Sequence, residues 1–203
     1  MDAAKFASTN PLDLSRYSPD FVAISFYKLF GYPSGLGALL VRKDAGAILK
    51  KSYFSGGTVA AAAADERFYA FKSDSLSSKL EDGTIPFLNI ISLKYALGIV
   101  MRDGAGSKEV GEIRSIDDLE LTMEKIKRHT SWLGQHMKQS LESIFHKNGK
   151  PVCRIYGPES GEVGSVVSFN LLRSNGEYVG YSEVEKLCSL NNIQIRVGFC
   201  CCF

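Results

Sequence analysis

Lys28 stands where an apolar run meets a glycine-punctuated turn, Phe21-Val22-Ala23-Ile24-Ser25-Phe26-Tyr27-Lys28-Leu29-Phe30-Gly31-Tyr32-Pro33-Ser34-Gly35-Leu36-Gly37. Burying an isolated ammonium is costly, so a lysine entering such a neighbourhood has to be neutralised or paired. A Schiff base with a carbonyl compound does this. Ser25 supplies a hydroxyl near the same turn, and Gly31, Gly35 and Gly37 permit close approach of backbone to a ligand, an arrangement suited to a phosphate-bearing cofactor. Residue chemistry alone also leaves open a solvated surface lysine beside a turn.

The second reactive group is sulfur. Of five cysteines, Cys153, Cys188, Cys200, Cys201 and Cys202, three are adjacent, which is a poor disulfide framework and reads as reduced thiols. They follow Arg196-Val197-Gly198-Phe199, so a thiol sits on a loop just after a strand-like run. The plain alternative is a frayed tail with no role. Cys153 and Cys188 fall inside strand and helix patterns and read as small apolar fillers. His129, His136 and His146 have no acidic or thiol companions that complete a metal set and read as surface residues. Trp132 reads as core. The ending Cys200-Cys201-Cys202-Phe203 formally fits a prenylation box, but its middle positions are not aliphatic and no polybasic run precedes it.

The elements that must position these groups follow from pattern. Phe21–Ser25 and Gly37–Val41 are continuous apolar runs, as expected of strands buried on both faces in parallel α/β packing. Asp44 can cap a short helix through Lys50, and Tyr53-Phe54-Ser55-Gly56-Gly57-Thr58 forms a glycine loop. Ala60–Ala64 is too short for more than a helical turn or loop. Glu81-Asp82-Gly83-Thr84 is a turn, and Pro86 opens a helix with Leu88, Ile91, Leu93, Ala96, Leu97 and Val100 among its apolar positions. A second helix runs from Ser115 past Trp132 towards Phe145. Strands at 152–156 and 165–172, a helix at 182–190 and a closing strand at 193–197 complete a small α+β unit.

Composition sets outer limits. At 203 residues and 45% apolar, the chain has material for a core. With 24 basic against 22 acidic side chains and no basic cluster, nothing suggests a grip on nucleic acid or an anionic membrane. No stretch reaches the roughly 18 to 20 apolar residues of a membrane span, and the start lacks the order of a signal peptide. A cytoplasmic protein is expected. The loop-like opening at Ser8–Pro11 and the short tail after the last strand suggest truncation at both ends.

Four separated segments together carry a resemblance: Asp2 to Val41, Tyr53 to Thr58, Glu81 to Thr84, and Arg196 to Cys201. In type and order they resemble the cysteine desulfurase-like domain of the molybdenum cofactor sulfurase family, within the class V aminotransferase-like pyridoxal-phosphate proteins. The resemblance implies that Lys28 forms the Schiff base with pyridoxal 5'-phosphate and shuttles protons. It implies that Asp2 pairs with the pyridinium nitrogen, that Ser25 binds the phosphate, and that Thr58 reaches the phosphate of the neighbouring subunit in a homodimer. Arg196-x-Gly-x-x-Cys201 matches the spacing that ends in the sulfur-accepting cysteine, with Arg196 supporting the loop or substrate. Two positions depart from the wider cysteine desulfurases: Lys5 stands where they have glutamine, and Tyr27 where they have histidine.

The resulting expectation is an α/β, fold-type I pyridoxal-phosphate transferase. Residues 1–105 form a partial large cofactor-binding domain and 106–203 a small C-terminal α+β domain ending at the cysteine loop. The implied activity takes sulfur from L-cysteine, leaves alanine and an enzyme persulfide, and passes the sulfur to the molybdenum cofactor. The alternative is a truncated, catalytically inactive homologue that acts only as an interaction subunit, because the stacking and phosphate-cradling segments and the carboxylate-binding arginine of the family are not found in this sequence.

Overall fold

In the computed structural model of the chain, residues 1–30, 35–105, 116–158 and 164–198 are described. The chain divides into two compact units, Met1–Ile126 and Lys127–Phe203, with the division inside a long helix. The boundary expected at 105/106 borders residues 106–115, which lie outside the described residues.

The first unit opens with a 3₁₀ turn at Phe6–Ser8, then β1 (Phe21–Ser25), α1 (Phe26–Phe30), β2 (Gly37–Val41) and α2 (Lys43–Ile48). β1 and β2 pair antiparallel in a two-stranded ribbon, with Phe21 opposite Val41 and Ser25 opposite Gly37. This corrects the expectation of parallel strands covered on both faces. Only residues 26–36 join the two strands, fewer than the dozen or more that a parallel crossover needs. At the centre of β1 the neighbours part: Val22 is 2% exposed, while Ala23 is exposed. Gly37 is required by contact, since a Cβ there would stand 2.8 Å from the Ile24 carbonyl oxygen. Arg42 braces the open end through Asp20 at 2.7 Å and Asp44 at 2.6 Å. Asp44 is thus in the first turn of α2, accepting from the Ala45 amide at 3.0 Å, and Arg42 holds the cap position.

β3 (Val59–Ala62) and β4 (Tyr69–Phe71) form a second antiparallel ribbon with an irregularity between Val59 and Ala61. The alanine run is therefore a strand. Its pairing with β4, including Ala62 opposite Tyr69, overrides the helical preference of alanine. α3 (Leu76–Leu80) starts at a capping box in which Ser75 and Ser78 exchange side-chain to backbone hydrogen bonds. α4 (Phe87–Ala105) follows Pro86 as expected. Its expected core positions Leu88 and Ile91 are instead 70% and 60% exposed, and among the described residues of this helix the buried large apolar side chain is Met101. Val22, Leu36, Met101 and Met123, with small alanines, make up the core of this unit among the described residues.

α5 (Ile116–Glu142) carries Asp117 and Asp118 in its first turn, where acidic groups complement the helix dipole. The second unit then contains β5 (Cys153–Tyr156), β6 (Ser168–Leu171) and α6 (Tyr181–Leu190), with β5 and β6 antiparallel. Cys153 and Val184 are its buried apolar residues among those described, and burial pushes the Cys153 thiol up from its ordinary range. His146 ties the end of α5 to the ribbon through its Nε2, 2.9 Å from the Leu172 carbonyl oxygen. Trp132, expected in the core, is 61% exposed and stacks on His136 one helical turn away. Residues 193–197, expected as a strand, run without strand pairing. No described helix is long and apolar enough to cross a membrane.

Candidate functional site

Three of the expected site residues gather at β1. Met1 to Ala3 run beside this strand: the Ala23 amide donates to Met1 O at 3.0 Å, the Ala3 amide donates to Ala23 O at 2.9 Å, and Asp2 bridges Ala23 in parallel. Ala23 and Ser25, two residues apart, share the face of β1 opposite the buried Val22. Asp2 therefore stands next to the open face that also carries Ser25. Its carboxylate is exposed, and Oδ1 accepts from the Ala4 amide at 2.9 Å, which fixes the side chain's direction without neutralising it.

Lys28 follows directly, in the last turn of α1. It is exposed, and its Nζ lies 5.8 Å from the Tyr27 ring centroid. The expectation of a lysine forced to pair inside an apolar neighbourhood is thus corrected. A two-stranded ribbon covers one face only, and the short helix after β1 carries Lys28 to solvent. An exposed amine without an ion pair among the described residues is accessible to an aldehyde. Residues 31–34, including Gly31, lie outside the described residues.

Thr58 sits elsewhere in the same unit and is fully buried. Its Oγ1 is 3.0 Å from Asp82 Oδ1, 3.3 Å from the Ser55 carbonyl oxygen and 3.2 Å from Lys51 Nζ. Lys51 also pairs with the Asp82 carboxylate and donates to the Lys79 carbonyl at 3.2 Å, while the Ser55 hydroxyl donates to the Asp82 carbonyl. The Lys51 hydrogen bond is the main reason that the Asp82 carboxyl is held below its usual range. The glycine loop 53–58 and the turn 81–84, picked out separately in the sequence, are therefore one structure. Sequence reading missed Lys51, Ser55 and Asp82 as its fastening. The signal available was that both segments belonged to the same set of motifs.

Arg196 lies in the second unit and is exposed; Cys201, with Cys200 and Cys202, lies outside the described residues. No group of three or more His, Cys, Asp or Glu side chains among the described residues is placed to hold a metal.

Residues 1–202 match the aminotransferase class-V family. The chain belongs to that family. Over 99% of its length it is 45% identical to a molybdenum cofactor sulfurase of Solanum lycopersicum, of which it covers 22%. It is 44% identical to the molybdenum cofactor sulfurases of Homo sapiens and Arabidopsis thaliana, covering 21% and 23% of them. The chain thus spans about a fifth of the length of these relatives. Among solved structures, the apo cysteine desulfurase of Thermococcus onnurineus NA1 superposes with a TM-score of 0.65 over 97% of this chain and 41% of that one, at 19% identity. That likeness shows the α/β, fold-type I architecture expected from the sequence.

Class V aminotransferases are pyridoxal-phosphate proteins, and the residues gathered at β1 fit that group chemically. Asp2 offers a carboxylate for a protonated ring nitrogen, Ser25 a hydroxyl for a phosphate, and Lys28 an accessible amine for an aldehyde.

Proposed function

We propose that this chain carries the pyridoxal-phosphate-dependent cysteine desulfurase activity of a molybdenum cofactor sulfurase. The observation that carries the reading is the placement of Asp2, Ser25 and Lys28 along one strand and the helix that follows it. Bound pyridoxal phosphate supplies an electron sink that weakens bonds at the α- and β-carbons of an amino acid. The Asp2 carboxylate holds a proton at the ring nitrogen, and the Ser25 hydroxyl donates to the phosphate. The Lys28 amine would hold the cofactor's aldehyde and would move protons at the substrate carbons. Cys201 takes the substrate sulfur: an S–S bond forms as the C–S bond breaks, and protonation of the carbon left behind gives alanine. Arg196 supports the loop that carries Cys201. The persulfide then delivers its sulfur to the molybdenum cofactor, in a cytoplasmic homodimer in which the glycine loop of one subunit completes the phosphate site of the other. Residues 106–203 act as the small C-terminal domain that brings the cysteine loop to the cofactor.

The test is covalent mapping. Protein incubated with pyridoxal phosphate and reduced with borohydride should carry the cofactor on the peptide containing Lys28, and Lys28→Ala should abolish the label there. Equal labelling of the variant, spread over surface lysines, overturns the reading. Alanine release from cysteine no faster than with free cofactor would point instead to the inactive interaction subunit.

A further inference from the structure

The cluster around Lys51 ties together three separate segments of the first unit. The Lys51 side chain is 11% exposed. Its ammonium has three protons and meets three acceptors from three separate segments: Thr58 Oγ1 in the glycine loop, the Lys79 carbonyl in α3, and the Asp82 carboxylate in the turn. The loop side is closed again by the Ser55 hydroxyl on the Asp82 carbonyl, and by Gly57, whose backbone lies against the same carbonyl. Thr58 has no exposed surface. What the loop presents outward is the exposed backbone of Gly56 and Gly57.

We propose that Lys51 and Asp82 are positioning residues that hold the glycine loop in one conformation, with Thr58 bracing it from within and the outward backbone at Gly56 and Gly57 as the ligand-facing part. Two consecutive glycines leave a loop with much conformational freedom to lose. A partly buried ammonium shared by three segments removes that freedom before a ligand arrives, and its removal leaves Asp82 and Thr58 without their common donor. The assignment of the loop to a phosphate rests on the proposed function; the clamp does not.

The experiment compares the full chain with Lys51→Met, which keeps the stem and removes the charge, with Asp82→Asn, and with the double variant. Amide hydrogen exchange is read at residues 55–59 against β1 and β2, together with the affinity for pyridoxal phosphate and the borohydride label at Lys28. Each single variant is expected to speed exchange at 55–59 at least tenfold, leave the β1 and β2 amides unchanged, and weaken pyridoxal phosphate several-fold while the label stays at Lys28. The double variant is expected to do no more than either single one, since the pair acts as a unit. Unchanged exchange at 55–59, acceleration spread equally over β1 and β2, or global unfolding of both single variants overturns the proposal, which claims a local effect. If exchange responds as expected but the unaltered chain is not labelled at Lys28, the clamp stands and the proposed function fails. Labelling with no response at 55–59 has the opposite meaning.

Discussion

Alanine substitution at two neighbouring glycines separates contact from flexibility in the glycine loop. A Cβ at Gly57 would stand 2.7 Å from the Asp82 carbonyl oxygen, 3.0 Å from its carbon and 3.2 Å from the Glu81 carbonyl oxygen. All three atoms are backbone, so no side-chain rotation relieves the clash and the loop has to part from the turn. A Cβ at Gly56 would meet nothing within 4 Å. Neither glycine has a left-handed φ, so alanine is conformationally allowed at both. Loss of unfolded-state freedom should stabilise each variant by about 0.4–1 kcal/mol, and overpacking at Gly57 should oppose this by about 1–3 kcal/mol. The shared entropic effect cancels in the comparison, leaving Gly57→Ala less stable than Gly56→Ala by about 1–3 kcal/mol. Urea unfolding followed by far-UV circular dichroism measures the difference. Fluorescence of the single tryptophan, Trp132, reports on the second unit in the same titration. Midpoints for the two variants that agree within error, with equal slopes, would refute the close approach of loop and turn on which the clamp depends.

The buried Val22 anchors the strand that carries the proposed cofactor residues. Val22→Ala should cost about 1–3 kcal/mol in urea unfolding, from two lost methyl groups and the space they leave, and should weaken pyridoxal phosphate binding as well. Because its folded pKa is lowered, ionised Asp82 stabilises the native state above the ordinary carboxyl value of about 4, and that stabilisation is lost as the pH falls through the lowered value. Protection of the 55–59 amides should therefore drop relative to β1 on acidification below about pH 4, and this relative drop should be absent in Asp82→Asn. The Cys153 thiol, buried and pushed up in pKa, should resist alkylation in the native chain and react once urea unfolds it; equal rates in both states would contradict its burial. Ser75→Ala, which removes one half of the α3 capping box, should cost about 1 kcal/mol.

What could be read from the sequence was what is contiguous. Ser25 and Lys28 came into view because a strand and the turn after it place near neighbours in the chain near each other in space, whereas Asp2, far upstream of both, was picked out by the family resemblance. The helices starting at Phe87 and Ile116 showed themselves by period and by Pro86 or first-turn acids. The fastening of the glycine loop did not, because its partners are 7, 24 and 31 residues apart, from Lys51 to Thr58, Thr58 to Asp82 and Lys51 to Asp82. A lysine before a loop and an aspartate in a turn each look like solvated charges until the fold brings them together. The alanine strand was hidden in the same way, since only its pairing with β4 distinguishes it from a helical turn.

The misreading of β1 bears directly on the chemistry. A continuous apolar run suggests cover on both sides, but the short connection through residues 26–36 makes an antiparallel ribbon, and such a ribbon packs one face and leaves the other open. Val22 takes the packed face, while Ala23 and Ser25 take the other, with Asp2 alongside. The carboxylate and the hydroxyl therefore need no buried counter-charge to exist in the folded chain, and Lys28 needs none either. For a group that brings its own phosphate, ring nitrogen and aldehyde, a carboxylate on the segment beside β1, and a hydroxyl and an amine on β1 and the helix after it, are a preformed set of partners, and binding need not first break an internal ion pair.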